Sequence, residues 1–181
     1  SVLVWIDAAK GLLVIDSASQ SRTDEVNSAL VKAIDGVTIE YHQTAVSPVA
    51  MMTSWLASNE ALTTDERHGF DIGRSCQLKA SDETKAVVTY KKHELDTKQI
   101  REHITGGKYA TKLALTYSDR VSFTLTGGGV LAGLNFLDLV FEDSANKQGG
   151  SGDKFNADVT LLAGELGPLI TNLQKCLVLQ S

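Results

Sequence analysis

The sequence predicts an α+β protein, mainly antiparallel sheet with helices, in which one strand–helix–strand unit presents a basic surface. Three observations predict it. Residues 108–117, 120–126 and 130–136 are β-branched and aromatic runs with alternating character, joined by short links. Apolar residues recur at helical spacing in 26–34, 51–56 and 162–177. Between Lys85 and Lys112, a strand, a capped helix, a glycine pair and a second strand follow one another. At 181 residues the chain is long enough for one domain, or for two lobes at 1–75 and 76–143 with a C-terminal helix at 157–178 packing across them.

Taken in order, residues 2–6 and 12–15 form a hairpin around Ala8, Ala9, Lys10 and Gly11. A helix capped near Ser21 or Thr23 follows, with Val26, Leu30, Val31 and Ile34 on one face and Gly36 closing it. Residues 37–41 read as another strand. Pro48 suits the first turn of a second helix, whose Met51, Met52, Trp55 and Leu56 read as core, not as a ligand box. Residues 59–73 are polar and read as loop. Gly127, Gly128 and Gly129 read as a hairpin turn, because a phosphate-cradling loop needs a helix behind it and none is signalled. Residues 142–154 read as a surface loop. Leu162, Leu166, Leu169, Ile170, Leu173 and Leu177 then share a helical face, and Gly167 and Pro168 predict a kink or a fresh helix start.

Charge is distributed unevenly. The whole chain carries −5, yet the window from Lys85 to Lys112 holds seven cations against three carboxylates, so +4 there faces −9 elsewhere. Such a polarised surface attracts polyanions locally. Within the window, residues 85–91 read as a strand. Asp96 stands at the N-cap position with Gln99 completing a capping box, Ile100 and Ile104 share the buried face, and Gly106 and Gly107 end the helix. Period two over 108–117 places Lys108 and Lys112 on a common face, about 13 Å apart, able to touch different phosphates.

Tyr90, Lys91, Lys92, His93, Glu94 and Leu95, then residues 100–104, then Gly107, Lys108 and residues 111–115 resemble the RdgC family of bacterial recombination-associated proteins. Val4, Trp5, Ile6, Asp7, Gly11, Leu12 and Asp16 near the start agree with it. So do Phe155, Ala157, Asp158, Gly164, Glu165, Leu166, Leu169, Ile170, Asn172 and Leu173 near the end. The resemblance spans the chain in order. It implies a non-catalytic cytoplasmic, nucleoid-associated protein that binds double-stranded DNA regardless of sequence. It also implies a ring-like homodimer that restrains RecA-dependent recombination by occupying DNA. The family's basic contact positions fall on Lys91, Lys92 and Lys108, and His93 stands where the family has an amide; Lys112, Lys98, Arg101 and His93 of the same basic window are expected as weaker contacts. The chain reads as the C-terminal portion of such a protein, without the N-terminal part that carries an aromatic ring-closing contact.

Two other classes are open to the same residues. Glu83 and Lys85, with Asp71 upstream, have the acid-x-lysine form of metal-dependent nucleases. Acid-x-lysine pairs occur twice in the chain, against about 1.5 expected from random placement. The other class is a dimerisation module whose lysines are solvated surface. His42, His68, His93 and His103 show no metal-ligand spacing, and Cys76 and Cys176 read as reduced structural thiols. No cofactor is expected. No apolar run is long enough to span a bilayer, which predicts a cytoplasmic protein with no membrane partner.

Overall fold

The computed structural model describes residues 1–58, 67–140 and 154–178. It is α+β and divides into two compact units, Ser1–Gln43 and Thr44–Ser181. The boundary expected after residue 75 falls instead within a strand. The loop expected over 142–153 and the first part of the one over 59–73 lie outside the described residues.

In the first unit, β1 (Val4–Asp7) pairs antiparallel with β2 (Leu12–Ile15), as the hairpin reading requires. Gly11 takes a φ of +60° in the turn, and the Asp7 carboxylate accepts from the Lys10 amide at 3.2 Å. Helix α1 (Gln20–Ala33) starts from Ser19, earlier than expected. It buries no residue, and Val31 and Ile34 of the anticipated stripe are 50% and 44% exposed. Residues 37–41 form no strand, because no neighbour offers a ladder. Tyr41 is fixed instead by side chains: its hydroxyl accepts from Gln20 Nε2 at 2.6 Å and donates to Asp24 at 3.1 Å.

The second unit is built on a five-stranded antiparallel sheet in the order β4-β3-β5-β6-β7. The strands are β3 (Phe70–Ala80), β4 (Val87–Lys91), β5 (Lys108–Tyr117), β6 (Val121–Thr126) and β7 (Leu131–Phe136). Sequence reading missed β3. Its apolar alternation, Phe70 and Ile72 then Cys76, Leu78 and Ala80, is interrupted at Gly73–Ser75, where the ladder with β5 slips. A Cβ on Gly73 would stand 3.1 Å from the Ala114 carbonyl oxygen. Gly73→Val is therefore expected to cost about 1–3 kcal/mol through overpacking, visible as a lower urea midpoint with an unchanged m-value.

One face of the sheet carries the core. Phe70, Leu78, Leu113, Leu115, Val121 and Leu125 are essentially inaccessible there. They pack with Met51, Met52 and Leu56 of α2 (Pro48–Ala57), Ile100 of α3 (Lys98–Thr105), and Leu169 and Leu173 of α4 (Lys154–Cys176). Ser47 caps α2 by accepting from the Ala50 amide, with Pro48 in the first turn. Pro168 neither ends α4 nor restarts it. The helix runs on, and the Thr171 hydroxyl donates to the Gly167 carbonyl. The three glycines make the expected turn, with the Gly129 amide donating to the Thr126 carbonyl.

Candidate nucleic-acid interface

The basic window folds as strand, helix and strand, with two departures that decide where its cations point. The helix cap is Thr97, whose hydroxyl accepts from the Ile100 amide at 3.3 Å. Asp96 does not cap; its carboxylate is taken by Arg101. On the same helix, Lys98 pairs with Glu102 at 3.6 Å. Two of the expected contact residues are thus already engaged by carboxylates.

The second departure is a bulge in β5. Gln77 pairs with Lys112 and Leu78 with Ala110, leaving Thr111 without an opposite number. One side chain and one backbone amide satisfy the disturbed backbone. Ala110 donates its amide to the Thr53 hydroxyl at 2.9 Å, and the Thr111 carbonyl accepts from Gly127 at 2.8 Å. The alternation changes phase across Thr111, so Ala110 and Leu113 are both buried. Lys108 and Lys112 therefore lie on opposite faces, not on a common one. An extra residue between them reverses the parity that their spacing implies.

Lys108 belongs to the helix side. Its ammonium lies 3.2 Å from His103 Nδ1. The His103 ring lies 6.3 Å from that of Tyr90, and Tyr90 lies 5.5 Å from His93. Burial, and secondarily Cys76, pushes the Tyr90 phenol up. His93 is tied down by a contact between its Nδ1 and the Glu94 carbonyl at 2.5 Å. Lys92 sits beside it in the left-handed region at φ 54°, exposed, its amide reaching Ser75 Oγ. The field of Lys108 also reaches Asp82, whose carboxyl is held low by the Thr84 hydroxyl first and by Lys108 as a lesser cause. Lys108, His103, Tyr90 and His93 thus form a run of contacts on the helix side of the sheet, with Lys92 next to His93 in the chain. Lys91, paired in register with Ser75, faces the other way at the end of β4 and borders this cluster.

Asp71, Glu83 and Lys85 are not brought together. Asp71 lies near the start of β3, paired with Arg67 at 3.5 Å, while Glu83 and Lys85 follow the far end of that strand, about 30 Å away at 3.3 Å per residue. Among the described residues, no group of three or more histidine, cysteine or acidic side chains could hold a metal ion. No described helix is long and apolar enough to cross a membrane.

Fold and site define an α+β protein with a basic strand–helix–strand unit on an otherwise acidic chain. A family model described as "Putative exonuclease, RdgC" matches residues 1–180. The chain belongs to the RdgC family. Its relatives include the recombination-associated protein RdgC of Burkholderia ambifaria, 41% identical over 94% of this chain and 54% of that protein. The proteins of the same name from Cupriavidus pinatubonensis and Bordetella pertussis are each 39% identical, over 96% and 94% of this chain and 56% and 55% of their own lengths. The chain spans about half the length of these curated relatives.

Proposed function

We propose that the strand–helix–strand unit carrying Lys91, Lys92, His93 and Lys108 binds double-stranded DNA through its phosphates without reading sequence. The observation that carries this is the run of contacts from Lys108 through His103 and Tyr90 to His93, with Lys92 next to His93 in the chain. Meanwhile Lys98 and Arg101 are held by their own carboxylates and contribute less. Phosphate contacts position a protein but carry no base information, and no basic recognition helix stands near the cluster. One such patch binds weakly. Two, brought around a duplex by a homodimer of the whole protein, gain by avidity, and occupancy of the duplex then restrains RecA-dependent recombination. The family and the recombination-associated names of its relatives support this reading, which places the protein on the nucleoid in the cytoplasm.

The test is binding of a fluorescent random-sequence duplex across a salt series. A variant carrying Lys91→Glu, Lys92→Glu and Lys108→Glu is expected to lose affinity and to lower the slope of log K against log salt by about 0.9 per contact, about 2.7 in all. Equal affinity and slope for variant and wild type would make these lysines ordinary surface charge and the module an assembly element.

A further inference from the structure

Helices α2, α3 and α4 pack on one face of the sheet; the strand side chains of the other are none of them buried. Register places Lys79 of β3, Lys91 of β4 and Lys112 of β5 there. Lys79 lies in the strand that sequence reading missed. Lys79 and Lys112 are offset by one strand and two residues, about 8 Å between Cα atoms, and Lys91 lies about 12 Å from Lys112 on the same geometry. The floor between them is polar. The Thr111 hydroxyl reaches the carbonyl and Oε1 of Gln77 at 3.2 and 3.0 Å, while Gln77 Nε2 reaches Thr89 Oγ1 at 3.5 Å. Tyr109 lies opposite Lys79, and Thr126 opposite Lys112.

The charge of this face is not cancelled locally. Among the described strand residues its one carboxylate is Asp71, at the far end and engaged by Arg67. Lys79, Lys91 and Lys112 make no ion pair among the described residues. Three uncompensated cations over hydroxyl and amide groups, in a chain of net charge −5, complement a phosphate backbone. A peptide or lipid ligand would call for an apolar groove, whereas the floor here is mostly threonine and glutamine, with Val87 and Tyr109 flanking Lys79 on the neighbouring strands.

We infer that the open sheet face is a second phosphate-binding surface, and that the chain holds two separate segments of nucleic acid, one on each side of β5. This rests on the duplex reading of the strand–helix–strand unit with Lys92 and Lys108 and adds a partner to it. The bulge at Thr111 is what divides the cations of one strand between two surfaces facing away from each other, so a single straight duplex cannot touch both.

The experiment is capture of a second, fluorescent duplex by protein already bound to a bead-tethered duplex. Wild type is expected to retain the second duplex. Lys79→Glu with Lys112→Glu is expected to hold the tethered duplex within about twofold of wild type in excess DNA, while losing the second by about tenfold or more, as removal of direct phosphate contacts demands. Retention of the tethered duplex also reports that this variant is folded, and Lys79→Gln with Lys112→Gln should fall between. The inference is overturned if the doubly reversed variant bridges as well as wild type, or if wild type binds the tethered duplex and never a second. That last result leaves the duplex reading standing. Loss of the duplex reading itself shows separately, as an unchanged salt slope for a Lys92→Glu, Lys108→Glu variant, which leaves the open face intact.

Discussion

Phe70→Ala is expected to remove about 3–5 kcal/mol of folding stability, a large share of the 5–15 kcal/mol typical of a domain. Phe70 is fully inaccessible at the start of β3. Its ring centroid lies 5.0 Å from that of Tyr117, 6.1 Å from that of Phe123 and 6.4 Å from that of Trp55, so it joins α2 to three strands or strand ends at once. Truncation leaves a cavity among rings that cannot collapse into it, and the aromatic contacts are lost in addition to the buried area. Urea denaturation followed by Trp fluorescence measures this. Phe70→Leu should recover about half of the loss, since most of the volume returns. A change below about 1 kcal/mol for Phe70→Ala would mean that this end of β3 is not part of the cooperative core.

Thiol chemistry supplies the second large effect. Burial pushes both Cys76 and Cys176 up to about 11 from an ordinary 9.0. Only the thiolate attacks an alkylating reagent, so a two-unit rise lowers the reactive fraction near pH 8 by about a hundredfold. Both thiols of the native protein are expected to label about a hundredfold more slowly than a model peptide, and full rates should return in denaturant. The linkage has a definite sign. Because the folded value lies above the unfolded one, the neutral thiols' contribution to stability is complete below pH 9 and is lost as pH rises from about 9 through 11. Unfolding free energy measured across that range should fall, and Cys76→Ser should remove the share of that fall due to Cys76 while lowering stability at every pH, because a hydroxyl in that core site introduces a polar group of its own.

Much of this fold was legible because apolar pattern and turn chemistry agree. In β5 and β6 the buried positions alternate, and glycines stand where the chain reverses. Ser47 and Pro48 announce α2. What escaped were features that depend on a partner strand. β3 lies at the centre of the sheet, but Gly73, Arg74 and Ser75 break its period, and a slip in register has no signature of its own in a single sequence. Residues 37–41 show the converse, with β-branched side chains and no strand to pair with. The choice between Asp96 and Thr97 as cap was decided by Arg101, five residues further on, which claims the carboxylate.

The site was legible to a similar depth. Composition located the cations and resemblance ranked them, yet neither could tell which side of the sheet each would take. One unmatched residue, Thr111, separated Lys108 from Lys112, and the missed strand hid Lys79 altogether. The signal that could have found Lys79 was the alternation of Cys76, Leu78 and Ala80, which places every residue between them on the outer face.

β5 is hydrogen-bonded on both sides, to β3 and to β6. A force applied at Lys108 and resisted at Lys112 would run along four residues of this strand, loading its ladders in shear so that many bonds share the strain at once. Any tension between objects held on the two surfaces would thus pass through a short, stiff part of the molecule, without passing through its helices or its loops.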